Sequence, residues 1–250
     1  MSEILLSTAY LAPVSWYALY WQAQEVQLEQ WEHYHKQTWR NRCCIAAANG
    51  PACLSIPVVK HNDQPIRDVR IEYRTDWRRQ HWVALESAYG TTPFFEYYQD
   101  DLRPLFEGRP FEFLFDWNLA LHDVVCRLLD VFPGVELTKD FRRPAESPVL
   151  HTGQEAPGDS EVQDLRNLIS PKCPLETLCA VTGYRQVPYT QVFEGRYGFQ
   201  PEMSIVDLLF NKGPESLLVL RDSWQAKLTP SAQPASSTPI SKLQSQNSKL

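Results

Sequence analysis

The chain has 250 residues, room for one large domain or two small ones, and 43% of them are hydrophobic, enough for a substantial core. A net charge of −6 and a pI near 5.5 argue against general nucleic-acid binding, which needs a broad basic surface. The charge is uneven, however: Lys36 to Arg79 holds nine Lys/Arg against four Asp/Glu, leaving −11 on the remainder, a pattern that suits a local anion site on an acidic body.

EILLS (Glu3–Ser7) is a short apolar run and predicts a buried strand. STAYLAPVSWYALYWQ then predicts an amphipathic helix, with Ser7 or Thr8 as cap and Pro13 in the first turn. The apolar stretch Ile4 to Trp21 is preceded by Glu3 rather than Lys or Arg, and Ser7, Thr8, Pro13 and Ser15 interrupt it. It therefore reads neither as a signal peptide nor as a membrane span. EVQLEQ (Glu25–Gln30) alternates like a half-buried strand.

HYHKQTWRNR (His33 to Arg42) follows, a dense array of donors. Lys36, Arg40 and Arg42 place three cations within seven residues, Gln37 and Asn41 add neutral donors, and Trp39 adds a stacking face. Guanidinium groups grip phosphate or carboxylate in bidentate fashion. A loop beyond a strand end is where open α/β sheets bind ligands. The plainer alternative is a solvated basic face paired with acidic neighbours. His33-x-His35 could supply two metal ligands, but no third is near in sequence, so a structural or solvent-facing role is expected and no metal is assigned.

NGP at Asn49–Pro51 marks a turn. CLSIPVV (Cys53–Val59) and IRDVRIE (Ile66–Glu72) both alternate, predicting a hairpin closed by KHNDQP, with Pro57 at an edge. Helices dominate afterwards. Asp76 starts one with Trp77, His81, Leu85 and Ala88 on a single stripe, and Gly90 ends it; His81 reads as a satisfied core residue. PFFEYYQDDLRPLFEG predicts a second helix broken near Pro104. From Asn118, the spacing of Leu121, Val124, Val125, Leu128 and Leu129 gives the most regular helix. VELTKDF (Val135–Phe141) could add a strand.

Arg142–Glu161 is rich in Pro, Gly and polar residues and predicts a long exposed loop, 142–161. Near the end, Ser204 is a good N-cap, with Asp207 three residues on, Met203 placed to staple onto Leu208, and Gly213 as the stop. Asp207 is a candidate functional carboxylate, although its capping position accounts for it without chemistry. From 223 to 250 the chain is too polar to fold and predicts a disordered tail after one domain, 1–222. The six Cys fit neither a zinc ribbon nor a small disulfide scaffold, so reduced thiols and a cytoplasmic setting are expected. Early strands and later helices predict an α/β or α+β domain with a small mixed sheet built from the N-terminal third. Neither GxxxxGK[ST], GxGxxG, GxSxG nor HExxH occurs, so any phosphate must be held by side chains. No cofactor is indicated.

STAYLAPVSWY, EHYHKQTWRNRCCIAAANGPACLSIPV, IRDVRIEYRTDWRRQHWVALESAYGTTPFFEYYQDDLRPLF, DLRNLISPK and YTQVFEGRYGFQPEMSIVDLLFNKGP stand in an order that resembles the WbqC-like family of bacterial proteins, and its Bacteroidetes branch in wording. The family's Pro-x-Tyr-Leu-Pro-like opening is altered here to AYLAPVSWY. The resemblance implies a link to O-antigen gene clusters and a role adding an amino acid, glycine in particular, to a sugar. It marks Lys36, Gln37, Asn41, Arg42 and Asp207 as the family's polar positions.

Two readings compete. One is a transferase acting on a nucleotide-activated amino sugar: Lys36, Arg40 and Arg42 hold the diphosphate, Trp39 or Tyr34 packs on base or sugar, and His33 or a carboxylate such as Asp207 takes the proton of the attacking amine. The other is a non-catalytic binding protein that docks a partner through its aromatic and basic surface. A third, nucleotidyl transfer with an anion at the first helix's N-terminus, lacks an HxGH-like signature.

Overall fold

The structure, a computed structural model, describes residues 3–59, 64–131, 135–143 and 162–224. Nearly all of the expected loop 142–161, most of the KHNDQP connection and the tail from 225 onward lie outside the described residues. Ser223 is buried and Trp224 bridges to Tyr184, so the described chain ends in packed structure.

The elements run β1 (Glu3–Ser7), α1 (Val14–Gln22), β2 (Glu25–Glu29), β3 (Arg42–Ala47), β4 (Gly50–Ser55), α2 (Trp77–Tyr89), α3 (Phe95–Glu107), α4 (Leu114–Leu129), β5 (Val135–Leu137), β6 (Gln163–Asp164), α5 (Leu175–Thr182), α6 (Glu194–Tyr197), α7 (Ile205–Lys212) and α8 (Ser216–Asp222). The α/β class is as expected. The sheet itself resolves into two: a parallel four-stranded sheet ordered β5-β2-β1-β6, and a separate antiparallel pair, β3-β4. The main sheet is not built from the N-terminal third alone, because β5 and β6 arrive from far along the chain.

β1 is central, and its Ile4, Leu5 and Leu6 are buried, the continuous apolar run that a doubly covered parallel strand needs. α1 departs from the amphipathic expectation. Val14 through Tyr20 are all buried, because helices α7 and α8 cover the side that would otherwise face water. Neither Ser7 nor Thr8 caps it; Pro13 occupies the N-cap without a side-chain bond.

The expected hairpin is also re-paired. Cys53–Ser55 joins β3 across the Ala48-Asn49 turn, where Gly50 adopts φ +101 as the turn requires. Ile66–Asp68 forms a 3₁₀ turn after Pro65, and among the described residues only the Val58↔Ile71 bridge remains of the second ladder. The register sets Cys44 opposite Cys53 with Cα atoms 4.3 Å apart, and the two form a disulfide, correcting the expectation of six reduced thiols. α3 continues through Pro104. That residue lies on the exposed face, so the carbonyl it leaves unpaired meets solvent, while Phe95, Leu102 and Phe106 hold the buried stripe. No described helix is long and apolar enough to cross a membrane.

Candidate functional site

All four main strands are parallel, so Ser7, Glu29, Leu137 and Asp164 end at one edge of the sheet. The chain winds outward from β1 through β2 to β5, then returns to place β6 on β1's other side. This reversal leaves a crevice between the loops that follow β1 and β6, the general position of ligand sites in open α/β sheets.

Charged side chains are gathered there. Glu29, wholly buried, accepts the Trp31 N–H (2.8 Å) and the Thr138 hydroxyl (2.8 Å) on Oε1. Its Oε2 accepts the Arg142 N–H (3.0 Å) and Arg166 Nη1 (3.4 Å). Arg166 is also held by Asp164, at 2.9 Å from Nε to Oδ1 and 2.6 Å from Nη2 to Oδ2. Burial works against the charge of Arg166, but its hydrogen bonds to Asp164 together with the negative charges of Asp164, Glu32 and Glu29 outweigh that and hold the group above its ordinary range. Arg40 grips Glu32 in the same two-pronged manner (2.8 and 2.5 Å) and donates Nη2 to Ser7 Oγ (3.0 Å). Its carbonyl accepts from Asn118 Nδ2 (2.8 Å), so α4 braces the donor array from behind.

Ser7, Thr8, Thr38, Arg40, Arg166 and Ser170 line a narrow pocket between these loops, with Trp16 and Trp39 on its walls. Its free volume is about 10 Å³, room for one water.

The structure divides the array. Thr38, Trp39 and Arg40 reach the pocket; Lys36 and Gln37 are exposed on the loop before it, and Gln37 sits at φ +61, a left-handed conformation uncommon for a side-chain-bearing residue. Asn41 donates Nδ2 to the Ile56 carbonyl (2.9 Å). Arg42 opens β3 and turns to Ser55 Oγ (3.3 Å), on the hairpin rather than in the pocket. His33 is exposed, its backbone bridged to Pro65 and its ring 6.1 Å from Phe141. Desolvation, then Arg40, lower the pKa of exposed His35. Glu29, Glu32, Asp164 and Arg166 were not singled out from sequence. The signal for Arg166 was the DLRNLISPK segment, which becomes a strand-end loop only once β6 is recognised.

Asp207 lies elsewhere and does something other than cap. Ser204 Oγ caps α7 by accepting the Val206 N–H (3.4 Å), while Ser204's own N–H donates to the Cys44 carbonyl (2.7 Å). The Asp207 carboxylate instead accepts from the Tyr89 hydroxyl (2.8 Å), the Tyr189 hydroxyl (2.7 Å) and Gln191 Nε2 (2.8 Å). Burial raises its pKa, and these three donors oppose the rise. With no exposed surface, it ties α2, α7 and the segment 189–191 together.

A wider groove of about 830 Å³ is lined by Tyr20, His122, Cys126, Arg127 and Val135, near the amino end of β5. Cys126 Sγ is 3.5 Å from His122 Nε2. Burial pushes the thiol up to about 12 and the imidazole down to about 4, so at neutral pH the pair is uncharged, unlike an activated thiolate–imidazolium pair. Among the described residues no group of three or more His, Cys, Asp or Glu could hold a metal ion.

The WbqC-like protein family matches residues 9–160. The chain belongs to this family. It is 29% identical over 194 residues, covering 75% of this chain and 84% of the relative, to an uncharacterised protein of Mycobacterium tuberculosis (strain ATCC 25618 / H37Rv), Rv1507c. No solved structure matches. In this WbqC-like chain β6, Arg166, Ser170 and Asp207 all lie beyond the matched residues, yet β6 completes the sheet and Arg166 and Ser170 close the pocket.

Proposed function

We propose that this WbqC-like protein is a transferase of surface-polysaccharide synthesis that holds an anionic nucleotide sugar over the β1/β6 crevice and joins the acyl group of an activated amino acid such as glycine to the amine of an amino sugar, the amine losing a proton and the donor's activating group departing. The observation that carries the reading is the coincidence of the switch-point pocket with the donor array. Lys36, exposed beside it, faces the phosphates together with Gln37; Trp39 offers a flat face to base or sugar; Asn41 is held by the Ile56 carbonyl, and Arg42, at the start of β3, adds a cation at the array's far end. Arg40 and Arg166 are already committed to carboxylates, so they shape the pocket and set its field while leaving phosphate to the outer residues. The proton of the attacking amine is assigned to His33, which lies exposed on the same loop. We assign no proton transfer to Asp207, which is enclosed by its three donors.

The test is a thermal-shift panel of nucleotide sugars, ATP, coenzyme A, amino acids and aminoacyl donors on the wild type, Lys36→Ala and Arg42→Ala. A ligand at one hundred times its dissociation constant adds about 2.7 kcal/mol. For a domain of this size that raises Tm by roughly 5–11 °C. We expect the rise with nucleotide sugars alone and its loss in both variants. A rise retained in both variants, or no rise with any nucleotide sugar, defeats the reading.

A second reading draws on the narrowness of the pocket: a non-catalytic protein that binds a partner through the array. Recovery of one stoichiometric partner, with a silent small-molecule panel, favours it.

A further inference from the structure

We propose that Glu202 is a positioning residue for the switch-point pocket: it caps α1 from a distant part of the chain, and α1 in turn sets the Ser7 carbonyl through Trp16. The inference rests on reading that pocket as a ligand site.

α1 leaves the pocket loop without a cap of its own, since Pro13 supplies no side-chain acceptor. Glu202 fills the place. Its Oε2 accepts the Ser15 hydroxyl at 2.6 Å, and the carboxylate also accepts the Ser15 backbone N–H. A negative charge at this end of a helix opposes the dipole's positive pole. The same junction is fastened by backbone bonds from Val14 N–H to the Met203 carbonyl (3.1 Å) and from Ile205 N–H to the Ala12 carbonyl (2.8 Å). Glu202 sits in the left-handed region at φ +56, and its N–H donates to Gln186 Oε1 (2.9 Å). In this uncommon backbone conformation the carboxylate reaches α1. This occupation also leaves the end of α1 closed to an external anion.

One residue along from Ser15, Trp16 donates its indole N–H to the Ser7 carbonyl at 3.1 Å and walls the pocket. Ser7 Oγ, at the same strand end, accepts from Arg40. A chain of direct contacts therefore runs Glu202, Ser15, Trp16, Ser7, Arg40.

Burial pushes Glu202 up to about 7, while its bonds from Ser15 and Tyr184 hold it back. Its neighbours are Tyr184 on one side and Cys179 on α5, with Tyr189, Glu176 and Arg185 around them. Burial raises Tyr184, Tyr189 and Cys179, which are neutral at pH 7. Near Trp16, His122 is held at about 4, and Tyr17 and Tyr20 are raised. The pocket loop also carries His35, whose pKa is lowered by desolvation, so a response of Trp16 near neutral pH is assigned to Glu202 by its loss in Glu202→Gln.

The experiment follows the Trp16 indole N–H by ¹⁵N NMR in the full chain from pH 5 to 9, with the peak assigned through Trp16→Phe. We expect one midpoint near 7 in the wild type and none in Glu202→Gln. Ser15→Ala keeps the carboxylate but removes the hydroxyl donor that holds its pKa down, so it moves the midpoint upward and covers the case in which Glu202→Gln fails to fold. A Trp16 peak that stays still, or that moves alike in wild type and Glu202→Gln, overturns the proposal. No ligand is needed. A titrating Trp16 with a silent ligand panel keeps the linkage and defeats the ligand reading, and a still Trp16 with a positive panel does the reverse.

Discussion

Arg166→Ala tests whether the charge cluster at the sheet's edge holds the fold together. The Arg166 side chain is 2% exposed and its partner Glu29 is 0% exposed. Removing one member of a buried ion pair typically costs about 3–5 kcal/mol, because the remaining charge stays buried without its partner. Here two features pull the cost toward the lower end. Glu29 keeps three other donors, from Trp31, Thr138 and Arg142. Asp164 is 16% exposed and keeps the Arg166 backbone N–H. We therefore expect about 3 kcal/mol, read as a lower urea midpoint at unchanged slope and a fall in Tm of roughly 6–12 °C. Arg166→Lys restores the charge but cannot make the two-pronged contact and should recover only part of the loss. Arg70→Ala breaks an exposed pair with Glu112 and should cost less than about 1 kcal/mol. A loss for Arg166→Ala no larger than that for Arg70→Ala would refute the claim that the cluster is a structural network.

Other expectations follow from the same structure. Burial holds His81 and His122 at about 4, below the unfolded value, so unfolding takes up protons as pH falls; stability is full above about 6.5 and drains away toward pH 4. The limit is about 3 kcal/mol for each group, and a Tm–pH curve for His122→Gln should be flatter over this range than the wild type's. Asp207→Ala strands the Tyr89 and Tyr189 hydroxyls and should cost about 2–4 kcal/mol in chemical denaturation, with Asp207→Ala/Tyr189→Phe recovering part of it. Ser204→Ala removes the α7 cap and should cost about 1 kcal/mol by the same assay.

Much of the fold could be read from local pattern. Glu3–Ser7 and Val26/Leu28 declared themselves by apolar run and alternation, and Ser204 with Gly213 bracketed α7. The errors arose where long-range pairing decides. The pattern of Cys53–Val59 fits two partners equally well, and the short Ala48-Asn49 turn selects β3. β6 is two residues long, too short for any periodicity, and gains its identity only by lying beside β1. Missing β6 hid Arg166, and with it the switch point. Asp207 carried a capping spacing in sequence, but the donors that claim it come from residues 89, 189 and 191. The array was legible as a cluster of donors. Which of its cations are spoken for was not, because Glu32 can be recognised as Arg40's partner only when the loop is folded.

The late arrival of β6 has a consequence for how the chain is made. β1 is the centre of the sheet, yet its second neighbour is synthesised more than 150 residues after it. At about 5–20 residues per second, a ribosome takes roughly 10–30 s to cover that distance. During that interval the nascent βαβ unit carries an unpaired apolar strand edge, the kind of surface that recruits other strands. Biogenesis of this protein should therefore depend on whatever shields that edge until residue 164 emerges, and slowed translation before that point should lower the yield of native protein more than slowing after it.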